Sequence, residues 1–209
     1  MEPAFERAYP GTRKARKRQV LSCALACFDE MGVDAVTIDT IRERSGSSIG
    51  TIYHHFGNKE GLAAAIYLAG LDDQQAWFET ALGDAKSIQE AVTAWVRAYL
   101  EWVVANPQLA RFMYHSRRVV AAGTSKDQLK GRNNKRYGAL LQFLETGLAS
   151  GKVRSLPRET YASLLIGQAE NYCRAWLSGR VPTAPTEHID VFAGAAWRAI
   201  AADADQQKE

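Results

Sequence analysis

Residues 37–59 read TIDTIRERSGSSIGTIYHHFGNK, and two short helices joined by a glycine turn are written into that run. Thr37 is a residue type that caps a helix, because its hydroxyl accepts from a backbone N–H that the first turn leaves unpaired. Ile38 and Ile41 then share one face, with Arg42, Glu43 and Arg44 around the rest. Gly46 supplies the positive φ that ends this helix, a conformation bulky or β-branched residues resist. Ser47 or Ser48 can cap a second helix over 49–56, whose Ile49, Ile52 and Phe56 fall at i, i+3 and i+7. A helix, a short turn containing glycine and a second helix form the helix-turn-helix arrangement. The second helix turns Gly50, Thr51, Tyr53, His54 and His55 outward. Hydroxyls, imidazoles and a bare backbone position suit phosphates and base edges better than a core.

Working outward, the 209 residues suffice for one or two domains with an ordinary core. The chain is 46% hydrophobic and 23% charged, a globular balance. Strand-like alternation is hard to find, so the expected class is all-α. No apolar run approaches the roughly 20 residues that cross a bilayer, and the first residues lack the apolar core of a secretory signal. The expectation is a soluble, cytoplasmic protein. Cys23, Cys27 and Cys173 do not make a disulfide framework. Cys23 and Cys27 share a face at i, i+4, where a redox pair or half a metal site is conceivable; buried free thiols are the favoured reading. The net charge of +3 is a weak argument for nucleic acid. Local clustering is a better one.

Residues 1–12 show no periodicity and read as a mobile arm. Arg13, Lys14, Arg16, Lys17 and Arg18 follow, a crowding that favours a phosphate backbone or minor groove. Val20, Leu21, Ala24, Leu25, Phe28 and Met31 then form the apolar face of a helix closed by Gly32. Asn58 caps a long helix broken at Gly83–Asp84. Ser87 with Glu90 is a capping-box spacing, and Asn106–Pro107 ends the helix it opens. Further helices are expected over 108–122, 125–150 and 158–178, with Gly123 and Gly151 as stops, Thr124 with Asp127 as a start, and Gly167 placed for close approach. Thr186 is expected to cap the last helix, and the chain to fray in DADQQKE. That is about nine helices. Two domains are expected, a DNA-binding head at 13–60 and a helical body at 61–205.

The run Gly32, Thr37, Ile38, Ile41, Gly46, Gly50, Thr51, Ile52, Tyr53, His55, Phe56, Lys59, Glu60 and Leu62 resembles the TetR family of bacterial transcriptional regulators. The resemblance covers Gly32 to Leu62 directly. It implies an all-α homodimer with a three-helix DNA-binding head and a helical body of about six helices. The last two long helices would pair with their mates, and the body would hold a small-molecule inducer. Three positions depart from the pattern: Arg42 and Ser45 stand where alanines are usual, and Ser47 where valine is usual. Arg42 is too large to pack between the two helices, which directs it outward towards a phosphate.

By that resemblance Thr37, Tyr53, His55 and Lys59 would hold phosphates, Gly50 would let the backbone approach the duplex, and Ser48, Thr51 and His54 would face bases. With Arg42 and Ser47, these are the candidate DNA-binding residues. A metal on His54–His55 is disfavoured, because adjacent side chains on a helix diverge by about 100° and no further ligand sits at a suitable spacing. Trp95, Tyr99, Trp102, Phe112, His115, Phe143, Gln168, Asn171, Tyr172 and Trp176 are the candidate ligand-pocket lining. A plain core explains any one of the aromatics as well. What favours a pocket is the polar company near Trp176, since a buried amide or carboxylate needs a partner. The last two helices, with Gly167, Gly194, Ala195 and Ala196 among bulky apolar residues, suit a dimer reading a palindrome. The basic run from Arg117 to Arg136 reads as solvated surface, with an acidic ligand or a second DNA contact as the alternative.

The function expected is a transcriptional repressor on a palindromic operator, released by an inducer. An activator or an architectural DNA-binding protein without an inducer is the alternative. No Ser-His-Asp order, metal-ligand cluster or phosphate-cradling glycine loop supports a helical enzyme, and no cofactor is expected.

Overall fold

The structure, a computed structural model, describes residues 3–122 and 126–202, with side chains for all of these but 119, 121, 122, 126, 127, 130, 133–137 and 139. The expected stop at Gly123 and start at Thr124 lie outside the described residues, as does the DADQQKE tail, and the side chain of Asp127 is not among those described. Ten α-helices are described: α1 Pro3–Ala8, α2 Ala15–Met31, α3 Ile38–Ser45, α4 Ile49–Phe56, α5 Lys59–Leu82, α6 Ile88–Ala105, α7 Pro107–Ala122, α8 Lys126–Ala149, α9 Thr160–Leu177 and α10 Ile189–Ile200. Short 3-10 turns occupy Thr12–Lys14 and Pro185–His188. The all-α class stands, with one helix more than the periodicity announces.

The extra helix is α1, so residues 3–8 are not the mobile arm expected. Phe5 is 0% exposed and Arg7 pairs with the buried carboxylate of Asp73 on α5. A single aromatic anchor and one ion pair suffice to hold a six-residue helix too short to show periodicity in sequence. A second correction concerns Thr186: it caps nothing. His188 precedes α10 and makes no side-chain cap, and a 3-10 turn opened by Pro185 does the entry instead.

The other expected signals act where they stand. Thr37 accepts from the Thr40 N–H at 3.2 Å and Ser48 from the Thr51 N–H at 3.2 Å. Gly46 takes φ +60°, and Asn58 Oδ1 accepts from the Gly61 N–H at 2.7 Å. Ser87 accepts from Glu90 N–H while the Glu90 carboxylate reaches back to the Lys86 N–H at 2.8 Å.

Two compact units form. The first gathers the described residues up to Gln74 with Asn106–Asn134, and the second takes Gln75–Ala105 with the described residues from Lys135 onward. In the first unit α2 is central, packed by α1, α3 and α7. Phe28 stacks on Phe112 with ring centroids 5.6 Å apart, so α7 belongs to this unit through its apolar face. In the second, α10 lies on α6 and α9. Trp95 stacks on Phe78 at 4.0 Å and an isolated bridge joins Val153 to Ala201. Among the described residues no helix is long and apolar enough to cross a membrane.

Candidate nucleic-acid interface

The exposed side of α3 and α4 is set by what lies beneath it. Ile41, Ile52 and Phe56 are buried, and burying such side chains contributes about 1.5–3 kcal/mol each. Ile49 behaves differently from expectation: it is 45% exposed and joins the outward face. The spacing i, i+3, i+7 admits it to the core stripe, but the first residue of an eight-residue helix overhangs its neighbour. An exposed aliphatic side chain there can touch a thymine methyl.

Gly50, Tyr53, His54 and His55 are all on the exposed side, with Thr51 half-buried at its edge. Tyr53 is 49% exposed, and its hydroxyl makes no hydrogen bond among the described residues. Thr37 and Ser48 are exposed but already employed as caps, their hydroxyls also 2.9 and 2.8 Å from those of Thr40 and Thr51. A hydroxyl that accepts from a backbone N–H can still donate its own proton. Ser47 is a correction: at 6% exposure it is folded into the turn and is not presented to a duplex. Its place beside Ser48 made the two indistinguishable as caps; burial of the turn's first residue separates them.

Arg42 is half-buried and turns to carboxylates of its own helix, Asp39 at 3.2 Å and Glu43 at 2.9 Å. Those acids offset its charge in the free protein. Lys59 donates to the Asp34 carbonyl at 3.0 Å, fastening the loop after α2 while leaving two ammonium protons.

The basic run splits in two. Lys17 lies 4.3 Å from the Tyr9 ring centroid and 5.3 Å from that of Phe56, a cation over aromatic faces. Arg18 donates to the carbonyls of Tyr9 and Gly11, both at 2.7 Å. Arg13, Lys14 and Arg16 stay exposed. Burial, and after it Lys14, pushes the Lys17 ammonium pKa down. Partial burial, then His54, Lys17 and Lys14, hold the His55 imidazole below its ordinary value. Lys14 and Lys17 therefore set two cations beside an imidazole held towards its neutral form, the three side chains coming from the Thr12–Lys14 turn, α2 and α4.

Gly61 escaped notice in the sequence. A Cβ there would fall on the Phe56 carbonyl oxygen that ends α4. A glycine inside a helical pattern, four residues after another glycine, was the available signal.

The expected pocket residues do not share one environment. Trp95, Tyr99 and Trp102 are buried along α6, and Phe112 is buried against Phe28 in the first unit. His115 is exposed; Phe143 is half-buried on α8. Gln168 and Asn171 are exposed, and Glu170 pairs with Arg174 at 2.6 Å. The premise of buried amides seeking a partner is thus overturned, because α9 turns that face away from its own unit's core. Tyr172 donates to the Thr183 carbonyl, and Trp176 is half-buried. Cys27 and Cys173 are buried free thiols and Cys23 is partly so; burial first raises the pKa of Cys23 and of Cys27.

Two capped helices around an αL glycine, with a polar face beside a cationic one, define a helix-turn-helix protein. Its sequence from 20 to 66 matches the model of the bacterial regulatory proteins of the tetR family. The HTH-type transcriptional repressor Rv1474c of Mycobacterium tuberculosis is 42% identical over 52 residues, 25% of this chain and 28% of that protein. The match thus spans little more than a quarter of that relative. The HTH-type transcriptional repressor KstR2 of Rhodococcus jostii is 24% identical over 143 residues, covering 68% of this chain and 70% of that protein. A TetR family transcription regulator from Marinobacter aquaeolei VT8 has the same fold, with TM-score 0.77, 19% identity and coverage of 91% and 98%. The family match thus lies in residues 20–66, and over most of the chain the likeness is one of fold.

Proposed function

We propose that this protein is a DNA-binding transcriptional repressor, without enzymatic activity, that acts as a homodimer on a palindromic operator and is released by a small-molecule inducer. The observation that carries the reading is the outward face of α4, where Gly50, Thr51, Tyr53, His54 and His55 stand beside the cations Lys14 and Lys17. The head, 13–60, supplies phosphate contacts from Thr37, Tyr53, His55 and Lys59, and base contacts from Ser48, Thr51 and His54. Arg42 joins them if a phosphate draws it from its two acids. The body, 61–205, carries dimerisation through α9 and α10. Val191 at 63% exposure and Gly167, whose surroundings are open, support that placement. An inducer acts only through unequal affinity for the DNA-bound and released states.

Binding to fragments selected from the source genome, measured at several salt concentrations against random DNA, tests the reading. A specific site should bind about 10³-fold or more above random sequence. A steep salt slope without sequence preference would replace specific repression by general DNA binding. Tyr53→Phe and Lys59→Ala should weaken all sequences alike and leave helicity and the dimer intact.

A further inference from the structure

The second unit contains a groove of about 430 Å³ between the Lys86–Gln89 segment, the end of α8 and the end of α10. That volume falls within the range that holds a small organic molecule. Of the ten expected pocket residues only Phe143 lines it. We propose that this groove binds a small organic anion, a carboxylate or phosphate group carried on a flat apolar body.

The apolar side comes from Ile88, Phe143 and Trp197, and the cationic side from Lys86 and Lys152. No Asp or Glu lines the groove. Among the described residues neither ammonium takes part in an ion pair. Of the acids near them in sequence, Glu90 accepts from the Lys86 N–H and Glu145 faces Arg158, while Asp84 is exposed and does not line the groove. The lining is also selective in its polar groups. Thr146 and Ser150 donate to carbonyls of their own helix at 3.0 and 2.9 Å. Ser87 accepts from the Glu90 N–H, which leaves its own proton able to donate. Two ammonium groups and a hydroxyl proton with no acidic counterpart select a negative headgroup.

The walls are built without a ligand. The Gly147 carbonyl accepts from the N–H groups of Lys152 and Val153 at 2.9 and 3.1 Å, and the Ala202 N–H donates to the Lys152 carbonyl at 3.0 Å. A Cβ at Gly147 would lie 2.6 Å from Val153 Cγ2 and 3.4 Å from Ile88 Cγ1. The backbone under Lys152 is therefore fixed between α8 and the end of α10, which lowers the ordering cost of binding.

Titration calorimetry of the full chain, without DNA, with 2-naphthoate, 2-naphthyl phosphate and 2-naphthamide tests this independently of operator binding. Both anions should bind, and the uncharged amide about ten-fold more weakly or worse. The stronger of the two anions identifies the headgroup. Lys86→Gln with Lys152→Gln should weaken the anions by about ten-fold or more, leaving amide binding and near-UV dichroism unchanged. Equal binding of amide and anions, anion binding unmoved in the double variant, or no binding at millimolar ligand would overturn the proposal. So would a double variant whose only change is weaker self-association, since a second copy of the chain would then cover the groove.

Discussion

One guanidinium nitrogen of Arg111 lies between both carboxylate oxygens of Asp29, at 2.7 and 2.8 Å. Gln108 approaches the same carboxylate at 3.4 Å. The contact joins α7 to α2 beside the Phe28–Phe112 stack, so the first unit's central helix is held by a ring pair and an ion pair together. Arg111 is 38% exposed on its side chain, and solvent screening limits what the charge pair contributes. Arg111→Ala should lower unfolding stability by about 1 kcal/mol in urea titration. An unchanged midpoint would leave the hydrophobic stack as the whole of the joint.

Ser48 holds the first turn of α4, and a cap and a DNA contact can be told apart at this position. Ser48→Ala should cost about 1 kcal/mol of stability, and Ser48→Gly only a few tenths. If Ser48 also faces a base, both variants lose operator affinity equally despite their different stabilities. Affinity that follows stability would make Ser48 a cap alone.

Gly61 lets the first turn of α5 pass against the end of α4. In Gly61→Ala the Phe56 carbonyl must move, and overpacking of this kind costs about 1–3 kcal/mol. Operator affinity should fall more than stability does, because the displaced group terminates the helix bearing Tyr53 and His55. Crystallography of the variant with α4 unmoved, or unaltered affinity, contradicts this.

His55 gives a pH dependence of defined sign. Burial, His54, Lys17 and Lys14 depress its folded-state pKa, so it is chiefly neutral at pH 7. The unfolded chain binds the proton more readily, hence His55 contributes stability present above the ordinary histidine pKa and lost as pH falls through the depressed one. A DNA phosphate works the other way and favours the imidazolium. Lowering the pH from neutrality should therefore strengthen DNA binding while destabilising the free fold, with a proton taken up on complex formation. His55→Gln should flatten both slopes; a pH profile identical to that of the parent assigns the effect to another group.

Phe5 tests whether α1 belongs to the folded unit. It is 0% exposed, and truncating a buried Phe costs about 3–5 kcal/mol. Phe5→Ala with a loss below about 0.5 kcal/mol, the range of a surface substitution, would return residues 3–8 to a dispensable arm.

Local chemistry made much of this protein legible. Thr37, Gly46, Ser48, Asn58 and the Ser87–Glu90 pair each satisfy a backbone demand within four residues, so their roles follow from spacing alone. The same is true of Ile41, Ile52 and Phe56, whose stripe needs only a partner surface. Long-range placement decided the rest. Ser47 and Ser48 differ in sequence only by one position, yet one is buried and the other caps. Ile49 fits the stripe and is exposed; Gln168 and Asn171 sit among aromatics and face outward. Lys17 and Arg18 look like their neighbours Lys14 and Arg16, but Tyr9, Gly11 and Phe56 engage them.

The sequence by itself determined that the chain is helical, where most helices begin and end, and that residues 37–59 make a helix-turn-helix. Those depend on hydrogen bonds and periodicities that close within a turn or two of chain. Only the tertiary structure decided which cations remain at the surface, that Phe5 anchors a first helix, and that Lys86 and Lys152 flank one groove. Such facts depend on which distant side chain arrives alongside, and helical periodicity carries no record of that.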